Sequence, residues 1–226
     1  MDKIEKKLWR KVERWRFLFE KMPFVRLVCV GNSLAFETSD KDSDIDLFIV
    51  TAKGRLYTAR FFVNLILKIF GLRVNGKKLA GRFCLSFMID ESDLDVWRFA
   101  IEDDIYLYFW LNKLVPVMAK GVLGKFEKAN GVDLDKSRLK VCKKAEDSVG
   151  GGRIEDYLRS RQIKHLKAKV GANEDGVGTV IEKDVFKLHS YDKRAFVRDR
   201  YRRLFPEGMD ADKFTSLLLS LKSHGK

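Results

Sequence analysis

An α+β fold is what the sequence predicts: a small mixed β-sheet flanked by helices, followed by a helical and basic C-terminal part. Three observations predict it. Residues 24–30, 45–50 and 83–89 are short, largely apolar runs, the first of them rich in β-branched valine, the pattern of buried strands. Longer segments between them carry apolar residues at three- and four-residue spacing, the helical period. Beyond residue 100 the pattern turns helical, and lysines and arginines crowd into it.

The elements follow in order. Residues 2–22 read as an amphipathic helix through Ile4, Leu8, Val12, Trp15 and Leu18, closed by Pro23. The first strand, 24–30, ends at Gly31; a short helical turn over 33–37 and a polar loop over 38–43 lead to the second strand, 45–50. Gly54 breaks the chain, and 55–70 form a helix stopped by Gly71. Asn75 and Gly76 mark a turn before the third strand, 83–89. Residues 102–114 form an aromatic-rich helix that stops before Pro116, and 117–128 a further helix. Gly150, Gly151 and Gly152 make the clearest linker. After it, 154–170, 191–204 and 213–221 read as helices, while 171–190 is glycine-rich and reads as partly loop. The boundary drawn from this order separates a core with its N-terminal helix, 1–115, from a helical basic region, 116–226.

Composition narrows the function classes. With 226 residues, 46% hydrophobic, and only three prolines, the chain is long enough to bury a core and is not a disordered protein. A net charge of +13 favours phosphate-bearing partners, with a basic solvated surface as the plainer reading. Cys29, Cys84 and Cys142 lie far apart with no C-x-x-C pair, which argues against a zinc site or a disulfide framework. Cys29 and Cys84 sit inside apolar runs and read as core thiols; free thiols suit a reducing cytoplasm. Residues 1–16 are charged throughout, unlike a secretory leader. Residues 56–72 are interrupted by Arg60 and Lys68 and fall short of the ~20 apolar residues of a bilayer span.

The chemistry is concentrated between Gly31 and Asp46. Gly31 ends a strand and Ser33 opens a short helix, so Gly31, Asn32 and Ser33 form a turn suited to phosphate, with free N–H groups and a hydroxyl. Asp44 and Asp46 are two apart at a strand start, and alternation puts both carboxylates on one face. Two carboxylates that close repel unless a cation sits between them. Mg²⁺ is bound by a few carboxylates plus substrate phosphates. Each half alone is common; a D-x-D pair is more often a solvated strand end. Here they occur together, in strand–turn–helix–loop–strand order.

This run resembles the signature of the DNA polymerase β-like nucleotidyltransferase superfamily: a glycine-serine turn followed about a dozen residues on by S-D-I-D-L, matched by Ser43, Asp44, Ile45, Asp46 and Leu47. The spacing from Ser33 to Asp44 is similar to that of minimal prokaryotic members, and the resemblance covers roughly residues 24–90. It implies a mixed sheet flanked by helices, NTP and Mg²⁺ (or Mn²⁺) binding, and transfer of a nucleoside monophosphate with release of pyrophosphate. Asp44 and Asp46 would then be catalytic metal ligands, and Gly31, Asn32 and Ser33 would hold phosphates. Two positions depart from the family pattern. Asn32 stands where a small residue usually precedes the serine, and asparagine tolerates the unusual backbone angles needed there. The family's third carboxylate belongs on a later strand, where this chain has Ser86. Asp90 is the substitute named from the strand end, ahead of Glu91 and Asp93, with a cap or loop carboxylate as the plainer reading.

Lys53, Arg55 and Arg60 follow the second strand within reach of a triphosphate or acceptor, and Lys53 and Arg55 are named as nucleotide contacts; an ordinary basic helix start is the plainer reading of all three. Lys77 and Lys78 read as a solvated turn. Phe61, Phe62, Leu65 and Phe70 read as core, and Tyr106, Tyr108, Phe109 and Trp110 as helix packing with one ring free to stack on a base. Arg159, Arg161, Lys164, Lys167 and Lys169, with Lys193, Arg194, Arg198, Arg200, Arg202 and Arg203, carry much of the charge and point to RNA or another polyanionic acceptor. His165, His189 and His224 have no metal-ligand spacing, and Asp192 reads as part of a helix cap. The expectation is an NTP-dependent transferase acting on a hydroxyl acceptor, with RNA or tRNA favoured and a protein side chain or small molecule open. Its rivals are a degenerate nucleotide- or nucleic-acid-binding module, an NMP-transferring regulator or toxin acting on protein, and a structural assembly protein.

Overall fold

The computed structural model describes residues 2–75, 78–143, 151–170, 179–188 and 192–223. Gly76, Lys77, Gly150, His189, Tyr191 and His224 lie outside the described residues, as does much of the glycine-rich stretch. Helix α1 (Lys3–Lys21) opens on a capping box in which Asp2 and Glu5 satisfy each other's backbone N–H groups. Strand β1 (Val25–Val30), the single turn α2 (Asn32–Ala35), β2 (Ile45–Thr51), α3 (Leu56–Ile69) and β3 (Phe83–Asp90) follow as expected. Then come a 3-10 turn at Trp97–Phe99, α4 (Ile105–Lys113), β4 (Val115–Ala119), α5 (Leu123–Asn130), β5 (Lys140–Val141) and α6 (Arg153–Val170). The hairpin β6 (Thr179–Ile181) and β7 (Val185–Leu188) precedes α7 (Arg194–Leu204) and α8 (Ala211–Ser223).

The fold is α+β, one mixed sheet in the order β5-β4-β1-β2-β3-β7-β6. Strand β1 runs antiparallel to β2 and β4, β2 runs parallel to β3, and β7 returns antiparallel along β3. Strands buried on both sides alternate two apolar sets. Val28, Ile45, Leu47 and Phe83 pack under α1 and α3; Leu27, Phe48, Phe87 and Val185 pack under α4, α5, α7 and α8.

Three expectations are corrected. Residues 117–128 are not one helix: β4 and α5 share them. Pro116 belongs to β4, opposite Cys29 where the register with β1 is irregular, a position that tolerates a missing N–H. Second, the boundary at 115/116 does not separate two bodies. Four strands from the C-terminal half, β4 to β7, complete both edges of the same sheet. Glu155 of α6 reaches back to α3, accepting hydrogen bonds from Tyr57 N (2.7 Å) and Thr58 N (2.9 Å), and so supplies the anion at that helix start. Gly151 is no free linker either, since a Cβ there would stand 2.7 Å from the Gly54 carbonyl oxygen. Third, α3 buries Leu56, Tyr57, Ala59, Val63 and Leu67, while Phe61, Leu65 and Phe70, expected in the core, are 40–48% exposed on its outer face.

Candidate metal centre and adjoining cavity

Pairing of Val30 with Leu47 sets the turn after β1 beside the start of β2. The Gly31 N–H donates to the Asp46 carbonyl at 3.0 Å and locks the two together. Asn32 takes φ of 50°, the left-handed conformation expected of asparagine there. The glycine at 31 has a different cause from close phosphate approach. Its φ is extended, and a Cβ would stand 3.0 Å from Trp110 Nε1, so a side chain there would press on α4.

Asp44 and Asp46 converge as alternation requires, and Cys84 of β3 joins them. One ligand atom of each lies within 4.8 Å of the others, all half-buried. Cys84 pairs with Asp46 across the parallel ladder, whereas Phe48 pairs with Phe87, so β3 carries one extra residue over this stretch. That irregularity turns Phe87 onto the same face and leaves Ser86 Oγ 3.5 Å from Asp46 Oδ1.

Burial first, and then the facing Asp44 charge, push the Asp46 carboxyl up to about 6. Asp44 is also raised, chiefly by burial, with Arg73 and Lys222 pulling it back. Burial followed by both carboxylates pushes Cys84 up to about 12, so it stays a thiol. Two crowded carboxylates short of positive charge are a hard oxygen donor set that fits Mg²⁺ or Mn²⁺. A neutral, soft thiol does not match those ions, so Asp44 and Asp46 are the residues that would hold one.

The pair opens into a cavity of about 690 Å³, within the range of small-ligand pockets. Asn32 and Ser33 line one wall; Phe99, Tyr106 and Trp110 supply rings. The Tyr106 hydroxyl donates to Asn32 Oδ1 at 3.4 Å. The C-terminal elements add Lys187 of β7, Arg194 of α7 and Lys222 of α8 to its lining. Arg194 is held by Asp104 at 2.6 Å and Asp192 at 2.7 Å, which fixes α7 on α4. Lys222 Nζ donates to the Thr38 carbonyl at 2.7 Å. Lys187 is only 6% exposed, and burial, then the like charge of Arg194, lower it to about 8.

Three sequence-predicted site residues lie elsewhere. Asp90 pairs with Thr51, five residues along β2 from Asp46, roughly 16 Å at strand rise. Its carboxylate accepts from Gly54 N (2.9 Å), Ser92 N (2.8 Å) and the Ser92 hydroxyl, so it closes a loop. Lys53 and Arg55 sit at that same far end: the Lys53 N–H donates to Glu91 Oε1 at 3.3 Å, and the Arg55 guanidinium lies 4.9 Å over the Phe24 ring. Sequence reasoning missed Cys84, hidden in an apolar run, and Lys187, hidden in a stretch read as loop. Among the described residues no helix is long and apolar enough to cross a membrane. No protein-family model matches the chain, and no curated protein or solved structure matches it.

Proposed function

We propose that the protein is a nucleotidyltransferase that transfers a nucleoside monophosphate from an NTP to a hydroxyl acceptor. The observation that carries this reading is the convergence of Asp44 and Asp46 in a cavity that Ser33, Lys187 and Lys222 also line. The S-D-I-D-L resemblance supports it. Asp44 and Asp46 would hold a divalent cation, which when bound would supply charge neutralisation for a triphosphate. Around it, the Ser33 hydroxyl and the Asn32 amide offer donors to phosphate oxygens, and Lys187 and Lys222 supply positive charge. Tyr106 and Phe99 offer faces to a nucleobase. In the reaction, the acceptor hydroxyl gives its proton to water, its oxygen bonds to the α-phosphorus, the bond from that phosphorus to the bridging oxygen breaks, and pyrophosphate leaves.

One observation favours a second reading. The third position beside the carboxylates is Cys84, a thiol and not an acid. A chain without that acid lacks the usual acceptor for the hydroxyl proton, and a binding module with slow or no turnover follows. Incubation with each α-³²P-labelled NTP and Mg²⁺, with total RNA or without it, separates the two. Transfer by the wild type and none by Asp44→Ala/Asp46→Ala supports the transferase. Retained nucleotide binding without transfer overturns it in favour of the binding module.

A further inference from the structure

A second cavity, of about 1230 Å³, lies where α3 and α6 face the segment leading into β3. Its walls include Arg60, Lys68, Arg73, Arg82 and Arg161, and no aspartate or glutamate among the described residues. The arginines are spent on neutral oxygens. Arg60 Nη1 donates to Gln162 Oε1 at 2.5 Å, Arg73 Nη1 to the Phe83 carbonyl at 3.1 Å, Arg82 Nη1 to the Arg73 carbonyl at 3.2 Å, and Arg161 Nη1 to the Tyr157 hydroxyl at 3.0 Å. Among the described residues none of the five cations has a carboxylate within ion-pair distance. Arg60 carries the clearest demand. It is 8% exposed, its Nε is buried with no acceptor, and it stacks 3.8 Å from the Phe186 ring centroid. Burial, then the like charge of Arg73, lower it to about 10, the sign of a cation short of a counter-anion.

Two further features narrow the anion. Phe61 and Tyr157 line the same cavity and are 40% and 58% exposed, flat apolar faces set among guanidinium groups. A groove that combines repeated positive charge with open aromatic faces is the arrangement that holds single-stranded nucleic acid, charge tracking the backbone and rings taking unstacked bases. One residue of the groove also stands near the carboxylate pair. Arg73 bridges to Phe83, Phe83 pairs with Ile45, and Arg73's charge is felt at Asp44.

We propose that the groove between α3 and α6 binds single-stranded nucleic acid, with Arg73 and Arg161 on its phosphates, the buried Arg60 charge behind them, and Phe61 and Tyr157 against its bases. The strand's role as acceptor rests on the transferase reading; its binding does not.

The test is fluorescence anisotropy with labelled oligouridylate about 12 nucleotides long, a length within the site size of such grooves. It is run without NTP and with EDTA, and every variant is first shown to unfold at the wild-type temperature. Lys68→Ala/Arg161→Ala removes two charges from the groove, and Lys125→Ala/Lys128→Ala removes two exposed charges from α5. The groove variant is expected to bind about ten-fold more weakly, with its log–log salt slope shallower by about 1.4. The α5 variant is expected to stay within about two-fold of wild type. Tyr157→Ala is expected to weaken the single strand about ten-fold. Equal losses in the groove and α5 variants, or a duplex bound as tightly as the single strand, overturn the proposal. Asp44→Ala/Asp46→Ala is expected to keep full strand binding. Loss of transfer alone therefore strikes the catalytic reading, and loss of groove-dependent binding alone strikes this one.

Discussion

Strand β2 has a carboxylate at each end of its neighbourhood, Asp90 buried and Asp46 half-buried, and the two are held in opposite ways. At the far end, Asp90 accepts from two backbone N–H groups and a hydroxyl and is satisfied by its own loop. At the near end, Asp46 faces Asp44 and a neutral thiol, and both burial and like charge disfavour its ionised form. The first arrangement stabilises the chain as it stands. The second costs stability until something positive arrives, and perturbed groups of this kind mark working sites. What faces a buried acid therefore says more than the acid does.

The widest separation between the ends is expected in turnover. Asp44→Ala/Asp46→Ala should lower label transfer by on the order of 10³-fold, the loss of several kcal/mol of cation-borne stabilisation. Asp90→Ala should leave transfer per folded molecule intact; equal loss of transfer in both variants would erase the contrast.

Stability should show the reverse. Asp90→Ala strands the Gly54 and Ser92 N–H groups and is expected to cost about 1–3 kcal/mol in urea unfolding. Asp46→Asn in metal-free buffer should instead stabilise, by about 1–2 kcal/mol at pH 8. The sign follows from a folded-state carboxyl raised to about 6. Below the ordinary carboxylate range both states are protonated and Asp46 costs nothing. As pH rises from about 4 to about 6 the unfolded chain ionises while burial and Asp44 keep the folded carboxyl protonated, so the gain from Asn should grow across that window and level off above about 6. A gain independent of pH would sink the electrostatic account. Excess Mg²⁺ should cancel it by raising the wild-type unfolding temperature several degrees, and should not move Asp44→Asn/Asp46→Asn.

The smallest effect belongs to Lys53 and Arg55. Their double alanine variant is expected to stay within about two-fold of wild type in nucleotide affinity, because their end of β2 is remote from the cavity. Lys187→Met, at the cavity itself, should weaken NTP binding about ten-fold.

The near end was more legible in sequence than the far one for a physical reason. Alternation along one strand is a local rule, so Asp44 and Asp46 fall on one face whatever else the chain does. The neighbour of Asp46 on β3 depends on register between two parallel strands and on an extra residue at Leu85 or Ser86, and no periodicity encodes either. Hence Ser86 was sought there and Cys84 was passed over. The expectation at Asp90 failed likewise, since nearness in sequence to a strand end says nothing of which end of the sheet it joins. Strands β6 and β7 are short, and β7 is made a strand by pairing with β3; with them went Lys187. Residues 115–119 were too short an apolar run for the helical and extended periods to be told apart.

The contact between Gly151 and Gly54 bears on how this chain can be cut and rejoined. A glycine-rich stretch invites truncation, insertion or fusion, as loop tips do. Here one of those glycines is wedged against a carbonyl, and four residues on Glu155 grips the first turn of α3. A fragment stopping at 143 would leave α3 without its anion, β3 with an open edge and the cavity without Lys187. The unit that engineering or recombination can move intact is the interleaved whole, not the half that carries the aspartates.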